Sequence, residues 1–380
     1  MALETATHIN DLVITNPDGL DDLSQGDNHI RMLKDVIKRD LPLTTPATAL
    51  GISLLTSATS EAARSFLGAS NNTFRNRVIN GDMNILQRFN SSITVVAGAP
   101  LVYTLDRFYA YCTGGDININ QNISLQKKAM GVVSTNGSNT GVIIGTRLQS
   151  DNTNDLINNN ATLSCLIKLG IGTLNINWAV YYAAAADSFG TIASPTRVAI
   201  SSGTFAATTT QTLFSATMAI PSAAYTGIEI VFSIAALNNG GNPLTITNVQ
   251  FEKGSVAASD VVFEVVDAPL QFSRCRHYYR RFSNRAGLVV LGSGHQNTLT
   301  SSRITLPIDD MRSVPSVVFG GTVLLDVAGS STAATLSTQY NSLNSVAFDV
   351  THASIGAAGG AVMIQLPFAS SNFVEISAEL

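Results

Sequence analysis

Charge is scarce in this sequence: Asp, Glu, Lys and Arg together make up 13% of its 380 residues, and the net charge is only −4. No Lys/Arg stripe runs through it, so sequence-independent binding of nucleic acid has no electrostatic basis and that class is excluded. The one basic cluster, Arg274, Arg276, Arg280 and Arg281, is interleaved with His277, Tyr278 and Tyr279. It reads as a domain junction whose arginines are solvated or paired. Cysteine is scarce too. Cys112, Cys165 and Cys275 stand far apart without the CxxC spacing of zinc or redox sites, which excludes those and a disulfide framework. The five histidines are scattered, with no HExxH and no close pair, so neither a zinc centre nor a catalytic triad has support. No Gly-rich phosphate loop occurs. No apolar run reaches the roughly twenty residues that span a bilayer, so membrane insertion is not expected. The opening Met-Ala-Leu-Glu-Thr-Ala-Thr-His lacks the basic and apolar regions of a secretory signal, so synthesis in a cytoplasm is expected.

What fills the sequence instead is 45% apolar residues set in a neutral background of Ser, Thr, Asn and Gly. Such a composition suits β-structure with Asn- and Gly-rich turns, and resembles extracellular or particle-borne proteins more than cytosolic enzymes. The length allows two or three domains, each with its own core.

Periodicity divides the chain. Residues 2–20 are polar and turn-rich, with Asn16-Pro17-Asp18-Gly19 as a turn signal, and are expected to be extended. A helix is predicted from near Ser24, where Ser24 and Asp27 have capping-box spacing, to Pro42. Its apolar stripe is Ile30, Leu33, Ile37 and Leu41. A helix this short is marginal alone, so identical helices or a docking protein are expected to cover that stripe. A second short helix is predicted over Ser57 to Leu67, closed by Gly68.

After Arg77 the period becomes two, the signature of strands with one buried face. Ile117, Ile119, Ile123 and Leu125 alternate with polar residues, as do Leu163, Cys165, Ile167 and Leu169. Leu174, Ile176, Trp178 and Val180 form a third run, and Ile228, Ile230, Phe232 and Ile234 a fourth. Leu244 and Ile246 shift phase to Val249 and Phe251, which predicts a β-bulge near Asn248. Strands joined by long turn-rich stretches argue for a two-sheet sandwich or jelly roll. A helical or irregular junction is expected around 271–282, followed by a second β-rich region that includes Val346, Phe348 and Val350, then Val362, Ile364 and Leu366. Its last strand, Val374, Ile376, Ala378 and Leu380, is expected to run to the final residue.

The opening MALETATHINDLVITNPDGLDDLSQGDNHIRMLKDVIKRDLP resembles the N-terminal segment of tailed-bacteriophage tail-fibre (receptor-binding) proteins. LLTSATSEAARSFLGAS, from Leu54, resembles the short helical connector of phage fibre shafts. NRVINGDMNILQRF, from Asn76, and YTLDRFYAY, from Tyr103, look like opening strands of the jelly roll in that group. NVQFEKGSVAAS, from Asn248, looks like its closing strand, and CRHYYRRF, from Cys275, like the linker into the tip. From the first motif to the last they span about three quarters of the chain. The resemblance implies a fibrous homotrimer in the virion, docked on a tail or adaptor protein through its N-terminus and binding a host surface glycan or protein. The expected organisation is mainly β. Residues 1–42 form a virion-attachment segment, 43–72 a helical connector, 73–272 a jelly-roll-like β-sandwich and 273–380 a distal β tip domain. Two other classes stay open: a purely structural fibre or adaptor carrying another adhesin, and a glycan depolymerase.

Glycoside hydrolysis needs two carboxylates facing one cleft. Asp82 and Asp106 are the acidic pair in the jelly-roll motifs, but Asp106-Arg107 reads more simply as a salt-bridged or capping carboxylate, so no enzyme activity is expected. No cofactor is expected either; the oxygen-rich stretch 151–160 would suit a structural calcium but lacks the EF-hand Gly and Glu. Sugar recognition stacks a ring on the pyranose and surrounds it with amides. By alternation Trp178 points into the core and Tyr181 faces the other way with Asn177. A loop over 292–298 is the candidate receptor contact, through His295, Gln296 and Asn297.

Overall fold

A computed structural model describes residues 5–15, 23–40, 74–124, 127–135, 137–237, 241–283, 289–367 and 371–380. The chain forms two compact units, Met1–Thr73 and Phe74–Leu380.

In the first unit the helix α1 spans Gly26–Asp40, close to its predicted bounds. Over residues 5–15, its described part, the polar lead is not extended: it turns in a 3-10 helix at Ile9–Asp11 and lies back along α1. Asp11 accepts hydrogen bonds from the amides of Thr7 and His8, and Asp40 accepts from Ile9 N at 2.6 Å and contacts His8 Nδ1 at 2.9 Å. Those local carboxylate bonds give the lead a better partner than water and bend it. Val36 is buried, whereas Ile30, Leu33 and Ile37 are exposed on the single chain. Leu41 and the predicted helix over Ser57 to Leu67 fall outside the described residues.

The second unit begins with a sandwich. Its first sheet has the spatial order β1 (Ser92–Val95), β4 (Ile117–Ser124), β5 (Lys127–Ser134), β12 (Leu244–Lys253), β7 (Asn160–Leu169), β10 (Thr212–Ala219). The second sheet has the order β2 (Val102–Tyr103), β3 (Phe108–Thr113), β6 (Gly141–Leu148), β11 (Ile228–Ile234), β8 (Leu174–Ala183), β9 (Arg197–Ala207). Every pairing is antiparallel, and the inward residues of both sheets form one core that includes Ile119, Cys165, Ile176, Trp178, Ile230 and Phe251. The alternation read from the sequence thus places Cys165 and Trp178 inside. The bulge falls where the phase shift puts it: β12 slips against β7 between Thr247 and Gln250, with Asn248 at φ 52°. Asn tolerates this left-handed conformation better than most residues, because its short amide can bond locally.

Ile123 departs from expectation. It ends β4 beyond the core and is 76% exposed. Its neighbour Leu125 is outside the described residues.

Helix α2 (Ala268–Arg276) follows the sandwich, with Pro269 in its first turn, where a missing N–H is no loss. Then come a three-stranded sheet, β13 (Tyr279–Ser283), β21 (Phe373–Ser377), β16 (Ser316–Gly320), and a closed barrel. Around the barrel the order is β14 (Val289–Thr298), β15 (Ser301–Pro307), β19 (Ser345–His352), β18 (Ser330–Asn341), β17 (Val323–Val327), β20 (Ala361–Leu366). Leu325, Phe348, Ile364 and Ile376 belong to the core shared by these two sheets. β21 stops at Ser377, short of the expected end, because Ala378–Leu380 turn away to partners on the sandwich.

Candidate functional site

Alternation fixes which side chains the second sheet presents outward. Cross-strand register places Thr204, Asn177, Ser233, Ile143 and Tyr111 in one outward row and Ser202, Ala179, Val231, Gly145 and Tyr109 in the next. Asn175, Asn177, Ser202 and Thr204 are exposed, and Thr204 Oγ1 donates to Asn177 Oδ1 at 2.9 Å. The second row is mostly small residues and forms a shallow trough that is exposed at Ser202 and half-buried at Ala179, whereas Val231, Gly145 and Tyr109 are buried. Gly145 is required there: a Cβ on it would stand 2.3 Å from the Tyr109 ring, which lies across that position. Tyr111 and Tyr181 lie half-buried on either side of the trough.

A third row ends this face in buried charge. Glu229, fully buried, accepts from Arg147 Nε at 2.7 Å and Tyr109 Oη at 2.6 Å, and pairs with Arg197. The Arg197 guanidinium in turn covers the Tyr181 ring at 4.2 Å. Burial works to lower the pKa of both arginines, but Glu229 more than offsets it and they stay charged. Burial, and then Glu229, push the Tyr109 phenol well above its ordinary value, so it remains a donor. The exposed amide and hydroxyl rows are therefore uncharged where they meet solvent, while the third row sets one carboxylate against two guanidinium groups.

A groove of about 770 Å³ lies on the outside of the first sheet. The segment after β12 straps over that sheet, held by Gln250 Nε2 on Val262 O at 3.1 Å and by Glu264 N on Gln250 Oε1 at 2.8 Å. Leu166, Leu213, Ile123, Val262 and Val265 make the groove largely apolar, with Lys127, Lys128 and Asp82 among its polar residues. Phe263 is its one aromatic residue, so it offers sugars less than the second sheet does.

The residues predicted for receptor contact are not on a loop. His295, Gln296 and Asn297 lie in β14, where His295 and Asn297 are exposed and Gln296 is buried. Gln296 Nε2 donates to Ile355 O, and its backbone bonds Gly359 and Gly360, so it holds the 355–360 turn rather than facing a ligand. The glycines of this strand serve close strand approach: a Cβ on Gly294 would meet Arg303 O at 1.9 Å. Asp82 and Asp106 do not face one cleft as a pair. Asp106 is buried and accepts from Gln87 N and Nε2 at 2.7 and 2.6 Å, while Asp82 accepts from Gln271 and Asn84. Burial, ahead of other influences, holds the Asp106 carboxyl above its ordinary range despite Arg88 and Gln87. In the 151–160 stretch Asp155 pairs with Arg77 at 2.5 Å. Among the described residues no group of three or more His, Cys, Asp or Glu could hold a metal ion. The predicted basic junction has partners: Arg280 and Arg276 reach Asp309, and Arg281 reaches Glu375 at 3.0 Å.

No family model and no curated protein matches the chain. Among solved structures, a carbohydrate-binding module of family 4 aligns over 46% of this chain and 99% of its own, with 10% identity and a TM-score of 0.30. The enzymatically active domain of tailspike protein 4 of bacteriophage CBA120 aligns over 47% of this chain and 22% of its own, with 14% identity and a TM-score of 0.27. A tandem of carbohydrate-binding modules of family 22 from Paenibacillus barcinonensis covers 74% of this chain and 97% of its own, at 11% identity and a TM-score of 0.26. At these scores the likeness assigns neither a family nor a ligand to this chain.

Proposed function

We propose that the chain is a non-enzymatic tail-fibre subunit that attaches a phage particle to a glycan on the host surface. The observation that carries the glycan reading is the outward face of the second sheet. Exposed amides and hydroxyls of Asn175, Asn177, Ser202 and Thr204 stand beside a small-residue trough flanked by Tyr111 and Tyr181. A polyhydroxylated, uncharged ligand needs donors and acceptors in fixed positions and a ring edge or face to pack on, and the uncharged exposed rows of this platform offer both. The sequence resemblance supplies the particle, and the exposed stripe of α1 supports a fibre in which three copies meet through that helix. His295 and Asn297, exposed on β14, form a separate surface open to the host.

The test is binding of the full-length protein to surface polysaccharide from candidate hosts, beside the variants Asn177→Ala with Tyr111→Ala and His295→Ala with Asn297→Ala. Loss of one amide and one ring contact is expected to weaken binding roughly tenfold or more in the first variant. If only the second variant loses affinity, the barrel is the reader and the sheet face is not. Binding to no polysaccharide at all refutes the glycan reading.

A further inference from the structure

The segment after β21 leaves its sheet and crosses onto the sandwich. Ala378 N donates to Tyr278 O at 2.8 Å, and Arg312 Nε and Nη2 donate to the main-chain oxygens of Ala378 and Glu379 at 2.9 and 3.2 Å. The Glu379 carboxylate, only 6% exposed, lies between Arg88 and Arg107 of the sandwich. Those two guanidinium groups cover the rings of Tyr279 and Tyr278 at 3.6 Å each, on the connection from α2 into β13. The Leu380 main-chain oxygen accepts from Tyr103 Oη at 2.7 Å and Arg147 Nη1 at 2.6 Å. Through Arg147 the network continues to Glu229 and Arg197.

Arg107 is 2% exposed, and its backbone sits at φ 71°, a conformation that side chains other than Gly rarely adopt. Its carbonyl accepts from Thr146 Oγ1 at 2.9 Å. A charged group buried to this degree is tolerated only while its partner stays in place. That partner, Glu379, belongs to the other module. Separating the two by a small displacement would leave guanidinium groups unpaired in the interior, so no half-open arrangement is favourable.

We propose that this buried ionic latch joins the sandwich and the barrel into one cooperative body, so that neither opens alone and force on the barrel passes to the sandwich without a hinge. The proposal stands whether or not the chain binds a glycan.

Hydrogen exchange of the full-length protein in rising denaturant, resolved by peptide, tests it. Peptides from β8 and β11 and peptides from β17 and β20 are expected to share one opening transition. In Glu379→Ala the barrel peptides are expected to open separately, with protection lower by on the order of a hundredfold than in the sandwich. Arg303→Ala, which breaks the Arg303–Asp349 pair inside the barrel, is the control and leaves the modules opening together. Should Glu379→Ala not fold, Glu379→Gln, which keeps the shape and drops the charge, is read in the same way. Separate transitions in the unaltered protein, or a common transition retained in a folded Glu379 variant, overturn the latch.

Discussion

Glu229 is the residue on which the outward face of the second sheet depends. It is fully buried, fixes Tyr109 across the trough, and keeps Arg197 stacked on Tyr181. Replacing it with Ala leaves the buried guanidinium of Arg147 and the half-buried one of Arg197 without their carboxylate, and this is expected to cost about 3–5 kcal/mol of stability. Urea denaturation measures that loss, and a value within a few tenths of zero would show that the arginines find water instead. Asp106 behaves differently. Its carboxyl is held above its ordinary value of 3.8, chiefly by burial, so the folded state binds its proton more tightly than the unfolded one. The sign follows from linkage: its contribution is full below about pH 4 and is lost as pH rises through the raised value. Asp106→Asn is therefore expected to gain stability relative to the parent protein as pH climbs from about 4 to 7. Parallel denaturation curves at the two pH values check it, and a difference independent of pH would contradict it.

At the scale of elements, α1 carries the sharpest mismatch between sequence and surroundings. Ile30, Leu33 and Ile37 follow helical spacing with no cover from the described residues of their own unit, while Val36 is packed away. If identical helices cover the stripe, Leu33→Glu with Ile37→Glu turns the assembly into monomers without altering the β signal in circular dichroism. Sedimentation of the parent protein as a monomer at micromolar concentration would remove that account. The strands were legible because their inward faces alternate: β4, β7, β8, β11 and β12 all emerge from period two, down to the bulge at Asn248. The barrel was not. β18, with Ser330, Thr332 and Thr335 among its members, is mostly small, polar and exposed, so it has no apolar period to read. Closure also rests on β14 pairing with β20, whose partners lie about seventy residues apart, and no local pattern encodes that. β14 likewise has no apolar alternation over 292–298, so that stretch reads as a loop and draws Gln296 into the candidate site, although its side chain holds a turn. Tyr111 and Ser202 were missed for another reason: membership of the platform depends on which strands are neighbours, and only the register of β3, β6, β11, β8 and β9 brings them to one face.

For the whole molecule, the division of labour follows from where charge lies. Exposed groups include the amides and hydroxyls of the second sheet and large apolar residues such as Ile123 and Val265, while the ion pairs of Glu229 and Glu379 join elements far apart in sequence and leave both carboxylates buried. The role we propose, contact with a surface polysaccharide, rests on those exposed amides and hydroxyls. The most direct measurement of that role is saturable binding of the purified full-length protein to candidate host cells, with and without free surface polysaccharide, beside the variant Asn177→Ala with Tyr111→Ala. Saturable binding that free polysaccharide displaces and that the variant loses is the predicted result. Binding that neither the polysaccharide nor the two substitutions diminish, or no binding to any host, would contradict the account.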